Sequence, residues 1–333
     1  MAANGRNLSA KNNKSIIFGL SGGRELIDKV CHKLSVKPGK ILIKRFADGE
    51  IFIKSLTSVR DKDVFLIQSF SNPVNENLME LLIAVDSLKR ASAKSITAII
   101  PYFGYSRQDR KASGREPITA KLVADLLTTA GVSSVSLIDI HSPQEQGFFN
   151  IPVDVMNGSI ILFHKFICQQ NLSNLILVAP DYGSVKQIRS LAQIFKLPIA
   201  IVDKKRTEHN KCESISLLGD VTNKVCVIVD DIIDTAGTIT EAAKLLKKNG
   251  AKNVYIIATH GLFNGNAIEN INKQFKEKVI DEIWISNSLI QKNEVKEHKK
   301  IKIVCLSELI ASVIYSYIKK LSLSHLYDSY LKS

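Results

Sequence analysis

From residue 15 onward, short apolar runs alternate with stretches whose apolar residues recur at helical spacing. Residues 15–18, 40–44, 64–69, 96–102 and 135–140 read as strands. Between them, 77–91 places Leu78, Leu81, Leu82, Val85 and Leu88 on one helical face. Residues 118–130 do the same, with Pro117 at the first helical position and Gly131 at the stop. The series then repeats. Strand-like runs recur at 175–179, 199–202, 225–231, 254–259, 282–285 and 301–306, and helical patterns at 160–170, 185–195, 239–248 and 309–320. Apolar β-branched strands alternating with helices predict an α/β protein with two tandem doubly wound domains and mainly parallel sheets. We divide the chain into a disordered tail at 1–14, an N-terminal domain at 15–157, a C-terminal domain at 158–318, and a segment at 319–333. Ligands of such sheets lie beyond the carboxyl ends of the strands.

The length of 333 residues suits two domains of ordinary size. Lys and Arg number 45 against 32 Asp and Glu, a formal charge of +13. That balance favours anionic partners, whether nucleic acid, acidic lipid or phosphate-rich small molecules. The five cysteines (Cys31, Cys168, Cys212, Cys226, Cys305) are scattered and form no CxxC, so neither a disulfide framework nor a zinc site follows. A reducing cytoplasm is the expected compartment. No run approaches the about 18 apolar residues of a membrane span, and the polar first residues lack the apolar core of a secretory signal. Residues 205–214 read as a mobile loop. The frequent lysines from 272 to 302 read as a solvated face, with an interaction patch as the other reading.

The strand ends carry the chemistry. At 225–238 the run VCVIVDDIIDTAGT takes an apolar strand into two carboxylates, a turn of small and hydroxyl residues, and a helix. Backbone N–H groups at such a helix start can cradle a phosphate. Thr235 and Thr238 add hydroxyl donors, and Gly237 permits close approach. Asp230 and Asp231 would repel a phosphate and suit sugar hydroxyls or a metal-bound ligand. This run resembles the phosphoribosyl diphosphate-binding motif of the phosphoribosyltransferase-like fold, which several activities share. After the strand at 96–100 comes PYFGYSRQDRK, with aromatic rings to stack on a base and Arg107, Arg110 and Lys111 to neutralise a polyphosphate. The turn FADGE at 46–50 is a weaker signal, since DG between strands is commonly a hairpin. In DIHSPQEQGFF, Asp139 and His141 alternate and would share one side of a strand end, as a metal–phosphate site requires.

Together with NLMELL, REPITAKLVA, IPVD, APD, DKKR, LLGDV and THGLF, these segments resemble the ribose-phosphate diphosphokinases, in the family's order from Phe46 to Phe263. The resemblance implies transfer of the diphosphoryl group of ATP to the anomeric hydroxyl of ribose 5-phosphate, with Mg²⁺. It implies ATP and oligomer contacts in the N-terminal domain and ribose 5-phosphate in the C-terminal one, with 319–333 packing back near the first. Phe46, Asp48 and Glu50 would bound the adenine, from a neighbouring subunit. Arg107, Gln108, Asp109 and His141 would hold ATP. Asp181, Asp230, Asp231, Asp234, Thr235, Ala236, Gly237 and Thr238 would hold ribose 5-phosphate. His141, Asp181 and Asp139 would face the metal, and Lys204 and Arg206 match the catalytic loop pair. Phosphate-activated members have a second anion site, matched here by Ser58, Arg60, Arg115, Ser322 and Ser324. It implies phosphate and ADP as effectors and a hexamer built from dimers.

Three departures stand out: Asn150 where the family commonly has Asp, Ala112-Ser113-Gly114 in place of a more charged stretch, and Tyr182-Gly183-Ser184 in place of a glycine-rich turn. The other readings are a regulator that senses phosphoribosyl diphosphate, a catalytically silent subunit, and a salvage phosphoribosyltransferase. The first lacks room for a winged helix before the first strand, with basic residues dispersed. The second would have lost loop cations or motif carboxylates, all present here. Neither nucleic acid nor membrane is an expected partner.

Overall fold

Apolar β-branched runs pair in parallel, and the chain crosses back over each sheet through helices. The computed structural model describes residues 14–170, 172–205 and 214–327. The expected tail, Arg206 and the last residues of the C-terminal segment lie outside them. The chain divides into two units. The first holds the described residues up to Asn157, with Ser288–Ile290 and Cys305–Leu326; the second holds Gly158–Asn287 and Gln291–Val304.

The first unit contains β1 (Ser15–Gly19), α1 (Arg24–Leu34), β2 (Ile41–Arg45), β3 (Ile51–Ser55), β4 (Asp63–Ile67), α2 (Val74–Arg90), β5 (Ser95–Ile100), α3 (Thr119–Ala130), β6 (Ser134–Ile138) and β7 (Val153–Met156). Its sheet runs β1-β4-β5-β6-β7, all parallel, while β2 and β3 form a separate antiparallel hairpin across the FADGE turn. Phe18, Leu66, Ala98 and Leu137 share one core with Leu81, Val85 and Leu88 of α2 and Val123 and Leu127 of α3. The turn after β1 passes tightly over the end of β4. A Cβ on Gly23 would stand 2.2 Å from the Ile67 carbonyl oxygen, so only glycine fits. The Ser21 N–H and hydroxyl each donate to the Glu80 carboxylate at 2.7 Å, and the Gly22 N–H donates to Gln68 Oε1 at 2.7 Å.

The second unit contains α4 (Gly158–Gln170), β8 (Leu175–Ala179), α5 (Val185–Phe195), β9 (Ile199–Lys205), β10 (Ser214–Leu218), β11 (Val225–Ile233), α6 (Gly237–Lys248), β12 (Asn253–Gly261), α7 (Ala267–Lys276), β13 (Glu282–Ser286), α8 (Asn293–Lys296) and β14 (Ile301–Val304). Its sheet order is β10-β9-β8-β11-β12-β13-β14, parallel except for β10. The order reverses between β8 and β11, which creates a topological switch point. One face of the sheet packs Ile228, Ile256 and Ile283 against Ile239 and Leu246 of α6 and Ile271 of α7. On α4, Phe166 meets Tyr255 and Trp284 edge-on, at ring separations of 5.0 and 5.6 Å. The chain then returns to the first unit as α9 (Ser307–Lys319), where Tyr317 packs edge-on against Phe65 and donates to Asp154.

Several expected boundaries shift. The strands expected to reach 69, 102 and 140 stop at Ile67, Ile100 and Ile138. Ile118 is not helical (φ −113°, ψ 80°), so α3 begins at Thr119 and Pro117 stands outside it. A boundary at 318 assigns α9 to the second domain, but its contacts with α1, β4 and β7 group it with the first. The apolar pattern does not predict α1, α7, α8, β7 or β10.

Truncating the aromatic at the centre of the α4 contact should be costly. Phe166→Ala is expected to lower stability by about 3–5 kcal/mol, the usual cost of deleting a buried ring. Urea unfolding of the purified chain measures it, and a midpoint within error of wild type would contradict this packing.

Candidate active site

Strand register exposes the second unit's candidate groups. β11 pairs with β8 only as far as Ile228, but with β12 as far as Ile233. The last residues of β11 therefore overhang β8 and bring Asp230 and Asp231 to the switch point. Asp230 Oδ1 accepts from the Asp231 N–H at 3.0 Å. Burial, then the neighbouring Asp231, then Asp181 push the Asp230 carboxyl well above the usual carboxylate range. Asp181, past the end of β8, is close enough to contribute to that shift, and its Oδ1 accepts the Ser184 N–H at 3.0 Å. The expected carboxylates are thus brought together.

The turn after β11 carries Asp234, Thr235 and Ala236 into α6. Ala236 is left-handed (φ 66°), an uncommon conformation for a residue with a Cβ. Thr235, Gly237 and Thr238 are exposed, and no side chain caps the helix start. First-turn N–H groups of a helix lack intrahelical partners and favour anions. Asp234 is turned aside by Asn264, whose Nδ2 donates to Asp234 Oδ1 at 2.7 Å. Asn264 was not singled out from the sequence, although it directly follows the THGLF segment.

In the first unit, PYFGYSRQDRK divides its residues differently from the expectation. Tyr102 and Phe103 are buried, and Phe103 packs on Phe70 and Phe149 at ring separations of 5.9 and 5.7 Å. These two rings belong to the core, so they offer no stacking face; the apolar cost of exposing them outweighs it. Arg107, Gln108, Arg110 and Lys111 are exposed and Asp109 is half-buried. Phe46 is 56% exposed at the hairpin tip. Asp48 and Glu50 are exposed beside it, with Asp48 Oδ1 accepting the Glu50 N–H at 3.0 Å.

Asp139 and His141 do not share a face. β6 ends before Asp139, whose φ of 39° breaks the alternation, so Asp139 is buried while His141 is exposed. Among the described residues no group of three or more His, Cys, Asp or Glu could hold a metal ion. The backbone of Lys204 lies in β9 opposite Ile215. Asn150 is exposed.

Of the second anion set, Ser58, Arg60 and Arg115 are exposed. Arg60 donates to the Ser92 hydroxyl at 3.3 Å, which adds a residue the sequence reading missed because it lies 32 positions away. The Ser322 and Ser324 hydroxyls lie 2.7 Å apart.

The N-terminal domain of ribose phosphate pyrophosphokinase matches residues 15–131, and the phosphoribosyl synthetase-associated domain matches 207–328. The chain is 50% identical to the ribose-phosphate pyrophosphokinase of Mycoplasma genitalium over 98% of each chain. It is 46% identical to that of Bacillus subtilis over 94% of this chain and 96% of the relative. The crystal structure of phosphoribosylpyrophosphate synthetase from Mycobacterium smegmatis superposes with a TM-score of 0.85 at 38% identity, covering 92% of this chain and all (100%) of that one.

The raised Asp230 proton affinity has a signed consequence. Its folded-state pKa lies above the unfolded one, so the stabilisation is complete below the unfolded value and is lost as pH rises through the folded one. Asp230→Asn is therefore expected to raise the melting midpoint at pH 7.5, by about 2–4 °C for each kcal/mol relieved. The gain should vanish near pH 3.5. Equal midpoints at both pH values would remove the repulsion argument.

Proposed function

The chain belongs to the ribose-phosphate pyrophosphokinase family, and from that premise we propose that it transfers the diphosphoryl group of ATP to the anomeric hydroxyl of ribose 5-phosphate. The products are 5-phosphoribosyl 1-diphosphate and AMP. The observation that carries the reading is the exposed Arg107 turn, present in addition to the ribose-phosphate motif at 230–238. An enzyme that only consumes the product needs no such turn.

The hydroxyl attacks the β-phosphorus in line, and AMP leaves as the β-phosphorus–oxygen bond breaks. Catalysis then rests on positioning and on neutralising charge on the transferring oxygens. Arg107, Gln108, Asp109 and His141 hold ATP, with Phe46, Asp48 and Glu50 of a neighbouring subunit bounding adenine. Asp230 and Asp231 accept from ribose hydroxyls, and the turn from Asp234 to Thr238 binds the 5-phosphate. Lys204 and Arg206 stabilise the transition state. Mg²⁺, when bound, would neutralise part of the polyphosphate charge, and one or two of the carboxylates Asp181, Asp230 and Asp231 would hold it, since it takes oxygen ligands. The scattered cysteines, with no CxxC pair, suit a cytoplasmic enzyme.

We assign a homo-oligomer, a hexamer built from dimers, whose interfaces would cover exposed apolar side chains such as Met79 and Leu122 of the first unit, 51% and 56% exposed. Inorganic phosphate activates and ADP competes at a second site of Ser58, Arg60, Arg115, Ser322 and Ser324. Arginine forks and hydroxyls suit phosphate oxygens.

Purified protein with ATP, Mg²⁺ and ribose 5-phosphate should form AMP and phosphoribosyl diphosphate in equal amounts. Lys204→Ala should lower kcat about 10²-fold or more, the usual loss for a transition-state electrostatic group. Background AMP in the complete mixture refutes the activity, and a normal kcat in the variant removes Lys204 from catalysis.

Phosphate titration at saturating substrates separates the second site. Wild type should be activated several-fold, and Arg60→Ala and Ser324→Ala should need more phosphate for half activation. Three superimposable curves would dismiss the site and leave the catalytic reading standing.

A further inference from the structure

The Arg107 turn is fastened on both sides by residues outside the ATP set. Upstream, the Phe70 N–H donates to the Tyr102 carbonyl at 3.0 Å, and the Tyr105 hydroxyl bonds to Asn75 Oδ1. Gly104 lies so close to Phe70 that an added Cβ would stand 2.9 Å from the Phe70 Cβ. Tyr105 is left-handed (φ 67°), a costly conformation for a bulky residue, and its carbonyl accepts the Gln108 N–H at 2.9 Å. Downstream, the Ala120 N–H donates to the Gln108 carbonyl at 3.2 Å. Thr119, the first residue of α3, donates its hydroxyl to Gln108 Oε1 at 2.5 Å.

That last bond decides which end of the Gln108 amide meets a ligand. A carboxamide has an acceptor end and a donor end. With Oε1 committed to Thr119, the NH₂ group is the end offered outward. A polyphosphate presents only acceptors, so this orientation attracts it. The reversed amide would set carbonyl lone pairs against phosphate oxygens.

We infer that Thr119 is a positioning residue for the ATP-binding turn, orienting the Gln108 amide so that its donors face the polyphosphate, with Asn75 bracing the other side through Tyr105. The inference rests on the ATP role proposed for Arg107 and Gln108.

Steady-state AMP formation by the full chain tests it. Thr119→Val keeps the side-chain shape and removes the hydroxyl. It should raise KM for ATP about three- to tenfold, the worth of one neutral hydrogen bond. KM for ribose 5-phosphate and the melting midpoint should stay at wild-type values, and Thr119→Ser should restore KM for ATP. On a Gln108→Ala background, Thr119→Val should add nothing further. A wild-type KM for ATP in Thr119→Val overturns the inference, as does an undiminished effect without the Gln108 side chain. A rise in both KM values with a lower melting midpoint also overturns it, because that marks general loosening. Wild type that forms no AMP sinks the enzymatic reading itself, whereas active wild type with an indifferent Thr119→Val sinks this inference alone.

Discussion

The unequal reach of neighbouring strands governs the second unit. Hydrogen bonding ties β11 to β12 along its full length, and the Ile233 carbonyl accepts from both Leu262 and Phe263 beyond it. On its other side β8 has already turned away after Ala179. Backbone pairing is close to obligatory in a buried sheet, so a one-sided overhang survives only where the other flank opens to solvent or ligand. Asp230 and Asp231 occupy that overhang, and the turn beyond them leads directly into α6. The carboxylates, the hydroxyl-bearing turn and the helix start thus follow from one register.

The same geometry makes the site electrostatically expensive in isolation. Asp230, Asp231 and Asp181 converge, and Asp230 is buried enough to resist ionisation. Hydroxyl donors or a cation placed at these oxygens would relieve that cost. Stability is given up locally where these carboxylates converge, and it is supplied elsewhere by the dense packing around Phe166 and Trp284.

The first unit separates scaffold from contact within a single short segment. Tyr102 and Phe103 anchor the turn in the core, and the following cations project outward. Buried rings make the backbone exit direction definite, and long charged side chains gain reach without having to pack. The Glu80 and Gln68 bonds to the turn after β1 perform a comparable anchoring at the neighbouring strand end.

Sequence alone determined the alternation of strands and helices, the two α/β series, and the family to which the chain belongs. Apolar periodicity is a local property, and the motifs at 101–111 and 225–238 keep their chemistry in contiguous residues. The hairpin across Gly49 was legible for the same reason, since its φ of 94° is a local demand on the turn. Tertiary structure decided what depends on distant partners. It moved α9 into the first unit through contacts of Tyr317 with Phe65 and with Asp154, each more than a hundred positions from Tyr317 in sequence. It sent the Tyr102 and Phe103 rings inward, because only the packed core shows which aromatics it needs. It separated Asp139 from His141, because a strand's last residue is set by its neighbour's reach and not by its own alternation. It also joined Thr119 to Gln108 and Arg60 to Ser92, since hydrogen bonds between elements are fixed by packing, which no local pattern encodes.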